Sequence, residues 1–147
     1  WDEMNNPGHR DVLLCYKNLL SVYKNHPVLH NDIANPTTFE WINQFDSDRN
    51  IICYIRRNPW NYNSAIAVVI NFSPMQYDNY IFGVPVKGMY KRIYNTYDEL
   101  AYQGSDIPLV TNDFGCNNRE YSITYNVRPF EGLILEFPID ENDDKDK

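Results

Sequence analysis

The sequence predicts an all-β fold, an antiparallel Greek-key β-sandwich preceded by one α-helix. Three observations point to it. Residues 65–72 (AIAVVINF) are almost continuously apolar over the length of a strand, without Gly or Pro. Such a run must be covered on both faces, which places it at the centre of a sheet. Seven or eight strand-like segments follow one another with short connections, and no strand–helix–strand alternation suggests a parallel sheet. Only one stretch, near the start, has helical spacing of apolar residues.

The helix is expected over residues 9–24. Asn5-Asn6-Pro7-Gly8 is an entry signal, because Asn can cap and Pro is tolerated in the first turn. Val12, Leu13, Tyr16, Leu19, Leu20 and Tyr23 form a stripe about 120° wide on a helical wheel. Leu14, Cys15 and Val22 fall outside that stripe, so the helix has two apolar sides. His26-Pro27 ends it, since a residue before Pro avoids the α region. One further short turn is expected over 27–31.

Strands follow in order. Residues 38–43 alternate Phe39 and Trp41 against Glu40. A turn at 46–50 leads to the pair 51–57 and 65–72, joined by a loop rich in turn formers over 58–64. A loop at 73–79 precedes a strand at 80–84. Val86-Lys87-Gly88 turns the chain into 89–95. The irregular stretch 96–118 has room for a short strand near 109–111. Residues 119–127 alternate Tyr121, Ile123 and Tyr125 against Ser122 and Thr124, and Pro129 breaks the run. The last strand, 132–137, carries Leu133, Leu135 and Phe137 on one face.

Composition narrows the function. A chain of 147 residues suits one domain, able to bury roughly 70% of its unfolded surface. A net charge of −7 argues against a nucleic-acid partner. Five acids against two Lys over 140–147 read as a solvated acidic tail. No apolar run approaches the length of a membrane span, and there is no signal peptide, so a cytoplasmic protein is expected. Cys15, Cys53 and Cys116 are widely spaced and expected to be reduced structural thiols. The chain opens at Trp1 rather than Met and is read as a fragment of a longer protein.

Few residue patterns carry chemistry. His26 and His30 are separated by Pro27 and cannot share a regular helix face, so no metal and no cofactor are expected. No G-x-S-x-G is present. Glu40, Glu131 and Glu136 lie in or beside strands, where any two could form a carboxylate pair, but nothing in their spacing selects one. They are read as solvent-facing strand acids. Gly83, Gly88, Gly104 and Gly115 read as turn glycines. Asn71-Phe72-Ser73 matches a glycosylation sequon and is read as chance at a strand end. Arg56 and Arg57 point to opposite faces and make a poor anion clamp. Trp60 and Tyr62, in the hairpin loop, are the candidate carbohydrate-binding residues, because loop aromatics can stack on sugar rings; the alternative is that they fold back over the sheet edge.

Several segments together resemble one family. Trp1, Pro7 and His9, then Leu20, Tyr23, Pro27 and Leu29, resemble its last barrel helix; Val28 replaces the usual Ala. Phe39-Glu40-Trp41-Ile42, Ile55-Arg56-Arg57 and Val69-Ile70-Asn71-Phe72-Ser73-Pro74 are similar to its first strands. Tyr80, Gly83-Val84-Pro85, Gly88 and Tyr90 match its Tyr-x-x-Gly-Val-Pro-x-x-Gly-x-Tyr. In this order, over nearly the whole chain, they resemble the C-terminal end of bacterial 1,4-α-glucan (glycogen) branching enzymes of the α-amylase superfamily. Thr38, Tyr97, Gln103-Gly104 and the segment Asn126-Val127-Arg128-Pro129-Phe130 depart from the pattern.

The resemblance implies a fold of the α-amylase C-terminal domain type and a division into the last helix of a truncated (β/α)8 barrel (1–26), an all-β domain (27–137) and an acidic tail (138–147). It implies a parent glycosyltransferase that cleaves an α-1,4-glucan chain by a retaining mechanism and re-attaches it at a 6-hydroxyl. The catalytic carboxylates would lie upstream, so no catalytic residue is assigned, and the fragment alone is expected to be inactive. Its partners would be that catalytic barrel and α-glucan. A helix side left without the barrel, near Leu14 and Val22 or along the main stripe, is expected to expose an apolar strip that favours self-association. The alternatives are a glucan-binding module and the matching domain of a debranching or amylase relative.

Overall fold

A computed structural model describes residues 6–31, 34–44, 46–97 and 107–138. Most of the tail assigned to 138–147 lies outside the described residues. The elements are α1 (Pro7–Asn25), β1 (Phe39–Asn43), β2 (Ile51–Asn58), β3 (Asn61–Asn71), β4 (Tyr77–Val84), β5 (Met89–Asn95), β6 (Leu109–Val110), β7 (Tyr121–Val127) and β8 (Gly132–Glu136), with short 3-10 turns at Pro27–Leu29 and Pro36–Thr38.

Every strand pairing is antiparallel. One sheet has six strands in the order β1-β2-β3-β8-β5-β6, and the second pairs β4 with β7. The chain therefore crosses between sheets at β3→β4, β4→β5, β6→β7 and β7→β8, as the predicted sandwich requires.

The apolar run on β3 sits at the centre of the large sheet and is covered on both sides. Ala65, Ala67 and Val69 face the sandwich interior with Cys53, Ile55, Phe82, Ile123, Leu133 and Leu135. Ile66 and Val68 face the other way, into a second cluster with Val22, Val28, Tyr94 and Ile134. Alternation along a strand sends successive side chains to opposite faces, so one continuous apolar segment serves two cores. Each buried Val, Ile, Leu or Phe among them contributes roughly 1.5–3 kcal/mol relative to exposure.

Two expectations change. The hairpin loop predicted over 58–64 shrinks to Pro59 and Trp60, because β3 already begins at Asn61 and pairs it with Asn58. Turn formers within a paired strand yield to the ladder their neighbours impose. The start of β4 also moves back to Tyr77, into the segment read as loop.

Asn6 caps α1, its side chain accepting from the Gly8 N–H at 3.1 Å. The helix docks through Cys15 and Val22 of its minor apolar side, while Leu14 on that side is exposed. Val22 is its one buried residue among those described, and Cys15 meets Tyr94 at 3.6 Å. The main stripe faces outward, with Val12 70% and Tyr16 60% exposed and Leu19, Leu20 and Tyr23 also exposed. On the same face of the sheet as the helix, Phe39, Trp41 and Tyr54 pack together, with Phe39 to Tyr54 ring centroids 5.3 Å apart. No described helix is long and apolar enough to cross a membrane.

Candidate functional site

The β2–β3 hairpin presents Trp60 at its tip. The side chain of Asn58 accepts a hydrogen bond from the Trp60 N–H at 2.9 Å, a local turn that fixes the tip. Trp60 is 88% exposed and does not fold back over the sheet edge. Tyr62 lies on β3, two residues on, so the two are not held in one flexible loop; the Tyr62 side chain lies outside the described residues.

The three strand glutamates are held in separate networks. Glu40 receives Arg57 at 2.9 Å and is also bonded by Arg119, which ties β1 and β2 to the loop before β7. Glu136 lies 3.9 Å from His26. Glu131 is wholly buried rather than solvent-facing. Its Oε1 accepts from Asn95 Nδ2 (2.5 Å), Tyr125 Oη (2.8 Å) and the Arg128 guanidinium (3.0 Å), and its Oε2 accepts from the Arg128 N–H (2.6 Å). A buried carboxylate persists when it is paired with a cation and both of its oxygens are hydrogen-bonded, as here. This knot joins the β7–β8 turn to the end of β5, and Arg128 in turn lies 4.1 Å over the Tyr97 ring. These carboxylates bind partners within the fold and offer no free acid–base pair.

Histidines and cysteines are likewise structural in their contacts. His26 Nδ1 meets the Val22 carbonyl at 2.9 Å at the end of α1, and the His30 ring lies 5.0 Å from Tyr23. Among the described residues, no group of three His, Cys, Asp or Glu side chains could hold a metal ion. All three cysteines are free thiols. Burial pushes the Cys53 thiol up to about 12, which keeps it protonated and unreactive at neutral pH. Asn71 is buried at the end of β3, donating to the carbonyls of Met75 (2.8 Å) and Arg128 (2.9 Å), so it is a turn anchor with no access for a glycan.

At the opposite end of the sandwich from Trp60 lies a feature absent from the sequence reading. Arg49, Gln76, Tyr77, Asp78, Asn79 and Ile81 line a groove of about 380 Å³, with Tyr80 as its wall. Tyr80 donates to Asp46 at 3.0 Å, and Arg49 donates to the same oxygen at 3.1 Å while lying over the Tyr80 ring. Burial, with Cys53 close by, holds the Tyr80 phenol well above its ordinary range. The groove's residues come from the predicted turn at 46–50, the predicted loop at 73–79 and the predicted strand at 80–84, and the bulge between Tyr77 and Tyr80 that brings them together leaves no residue pattern.

The all-β part of this arrangement matches a known family. Residues 41–138 match the alpha amylase C-terminal all-beta domain. The chain belongs to that family. The match takes in the strands from Trp41 on and leaves α1 outside it. The chain is 33% identical over 140 residues to the 1,4-alpha-glucan branching enzyme GlgB of Synechococcus elongatus, covering 92% of this chain and 18% of the relative. It is 33% identical over 143 residues to the GlgB 1 branching enzyme of Clostridium perfringens, covering 95% and 21%. This alpha-amylase C-terminal domain thus spans about a fifth of the length of these relatives. Among solved structures, a trehalulose synthase shares the fold with a TM-score of 0.51 at 16% identity, covering 82% of this chain and 17% of that one. An isomaltulose synthase of Klebsiella sp. does so with a TM-score of 0.50 at 14% identity, covering 84% and 17%.

Proposed function

We propose that this chain is the C-terminal β domain of a cytoplasmic 1,4-α-glucan branching enzyme, with α1 as the last helix of its catalytic barrel, residues 27–137 as the domain proper and residues 138–147 as its acidic tail. The parent would transfer an α-1,4-glucan segment to a 6-hydroxyl. The domain's own task is structural: it buries and steadies one side of the barrel. The observation that carries this is α1 itself. Its lesser apolar side docks on the sheet while Val12, Tyr16, Leu19, Leu20 and Tyr23 stand in solvent. A helix that shows its broader apolar stripe to water is built to meet a second body. The 33% identity to a branching enzyme over 92% of the chain supports the parent reaction proposed here.

The test is to express the full reading frame that contains this chain and, separately, these 147 residues. The full protein is expected to form α-1,6 branches on amylose, read as a fall in iodine colour and new short chains after debranching. The isolated chain is expected to do neither. Activity of the isolated chain, or cleavage of branches by the full protein, would overturn the reading.

A second reading rests on Trp60. A nearly fully exposed Trp on a rigid two-residue turn is suited to stack on a sugar ring, with Tyr62 as its candidate neighbour. Titrating maltoheptaose while following Trp fluorescence, with Trp60→Ala as control, tests this role; an unchanged signal removes it.

A further inference from the structure

We propose that the groove between the β1–β2 turn and the start of β4 is a binding site for a neutral, polyhydroxylated ligand, an α-glucan segment. Its chemistry makes the case. Arg49 supplies a guanidinium, Gln76 and Asn79 supply amides, Asp78 supplies a carboxylate, and the half-buried Tyr77 and exposed Ile81 supply apolar surface. Donors, acceptors and an apolar patch together are what a sugar ring needs, since it presents hydroxyls at its edge and C–H groups on its face.

Charge rules out the other small ligands such a groove would suit. The Arg49 charge is met by Asp46 at 3.1 Å, and Asp78 adds a negative charge on the same wall, so the groove gives an anion no net attraction. Asp78 is also engaged, accepting from Gln76 at 2.6 Å, and Asp46 behind the wall is taken up by Tyr80 and Arg49, so the described lining offers no second carboxylate for a metal. A ligand without charge that both gives and takes hydrogen bonds is what remains.

The groove is also pre-formed. The β4–β7 register slips between Tyr77 and Tyr80, and Asn79 takes a left-handed φ of 53°. Its N–H donates to Asn126 Oδ1 at 2.8 Å, which holds the bulge in place. Bulges re-aim side chains beside functional sites. Behind it, the network of Tyr80, Asp46, Asn43 and Arg49 holds the wall still. The site lies at the far end of β3 from Trp60, so the two can be tested separately.

The choice of α-glucan rests on the branching-enzyme reading, whereas the groove itself does not. The experiment is an amide chemical-shift titration of the 147-residue chain with maltoheptaose. Shifts are expected at the amides of Gln76, Asp78 and Asn79. They should be lost, with binding at least about fivefold weaker, in a Gln76→Ala, Asp78→Ala double variant whose far-UV spectrum is unchanged. Shifts confined to Trp60, or none at these amides up to about 10 mM sugar, overturn the groove while leaving the branching reading to its own assay. Equal shifts with cellohexaose keep the groove as a sugar site and overturn its α-glucan preference.

Discussion

The backbone carbonyl of Cys116 occupies the space that a Cβ on Gly83 would need. Gly83 lies within β4, not in a turn, and its N–H donates to Asn117 Oδ1 at 3.0 Å. The loop before β7 is thus laid directly on the backbone of β4. Even a methyl group must push backbone aside, so Gly83→Ala is expected to cost about 1–3 kcal/mol, the usual range for overpacking. Urea denaturation measures it, and a midpoint equal to that of the unsubstituted chain would show that the loop does not rest on the strand.

Removing the buried acid should be more damaging than removing an exposed one. Glu131→Ala leaves Arg128, Asn95 and Tyr125 without their common acceptor. A broken buried pair costs about 3–5 kcal/mol, enough to unfold a small domain at moderate temperature. Glu136→Ala, on the part-exposed side of β8, is expected to change stability by less than about 1 kcal/mol. Equal losses in thermal melts would contradict the ranking.

Alkali should destabilise the fold. Burial raises Cys53 from 9.0 to about 12 and shifts Tyr54, Tyr80, Tyr90 and Tyr125 in the same direction. The folded state then holds protons that the unfolded chain has released. Stability contributed this way is complete below the unfolded pKa of each group and falls as pH rises, by roughly 1.4 kcal/mol per pH unit for Cys53 from about 9 to about 12, with the tyrosines adding to the loss only above about 10. Denaturation midpoints at pH 7.5, 9 and 10.5 check it. A flat profile above pH 9 would refute the burial of these groups.

The outward stripe of α1 should make the isolated chain associate with itself as concentration rises, because Val12, Tyr16, Leu19, Leu20 and Tyr23 are exposed along it. Sedimentation velocity is expected to show a concentration-dependent shift that a Tyr16→Lys, Leu20→Lys double variant abolishes without loss of helicity. A strictly monomeric profile at high concentration would count against it.

The strands were legible in the sequence because their patterns are local. AIAVVI announces a strand covered on both faces, and Leu133, Leu135 and Phe137 announce a single inner face. The helix was legible as an element but its docking side was not. Periodicity reports which sides of a helix are apolar, not which one finds a partner, and here the narrower side with Val22 does. The hairpin tip was read as too long because Asn61, Asn63 and Ser64 favour turns, yet they continue β3. Glu131 gave no sign of burial, since its partners come from β5 and β7 and only the folded chain brings them together. Gly83 looked like a turn residue because close backbone approach leaves no periodic trace. Trp60 was identified as a candidate, and its exposure is now known; the groove at Gln76–Ile81 was hidden by a bulge that no residue pattern marks.

The pairing of β3 with β8 sets the order in which this chain can mature. During synthesis β3 finds β2 at once, but its other neighbour, Gly132–Glu136, is the last of the described strands to be made. Until then Ile66–Ile70 carry an open ladder edge and two bare apolar faces, the combination most prone to pair with another nascent chain. The strand most enclosed by its neighbours in the finished fold is therefore left open while the protein is being made.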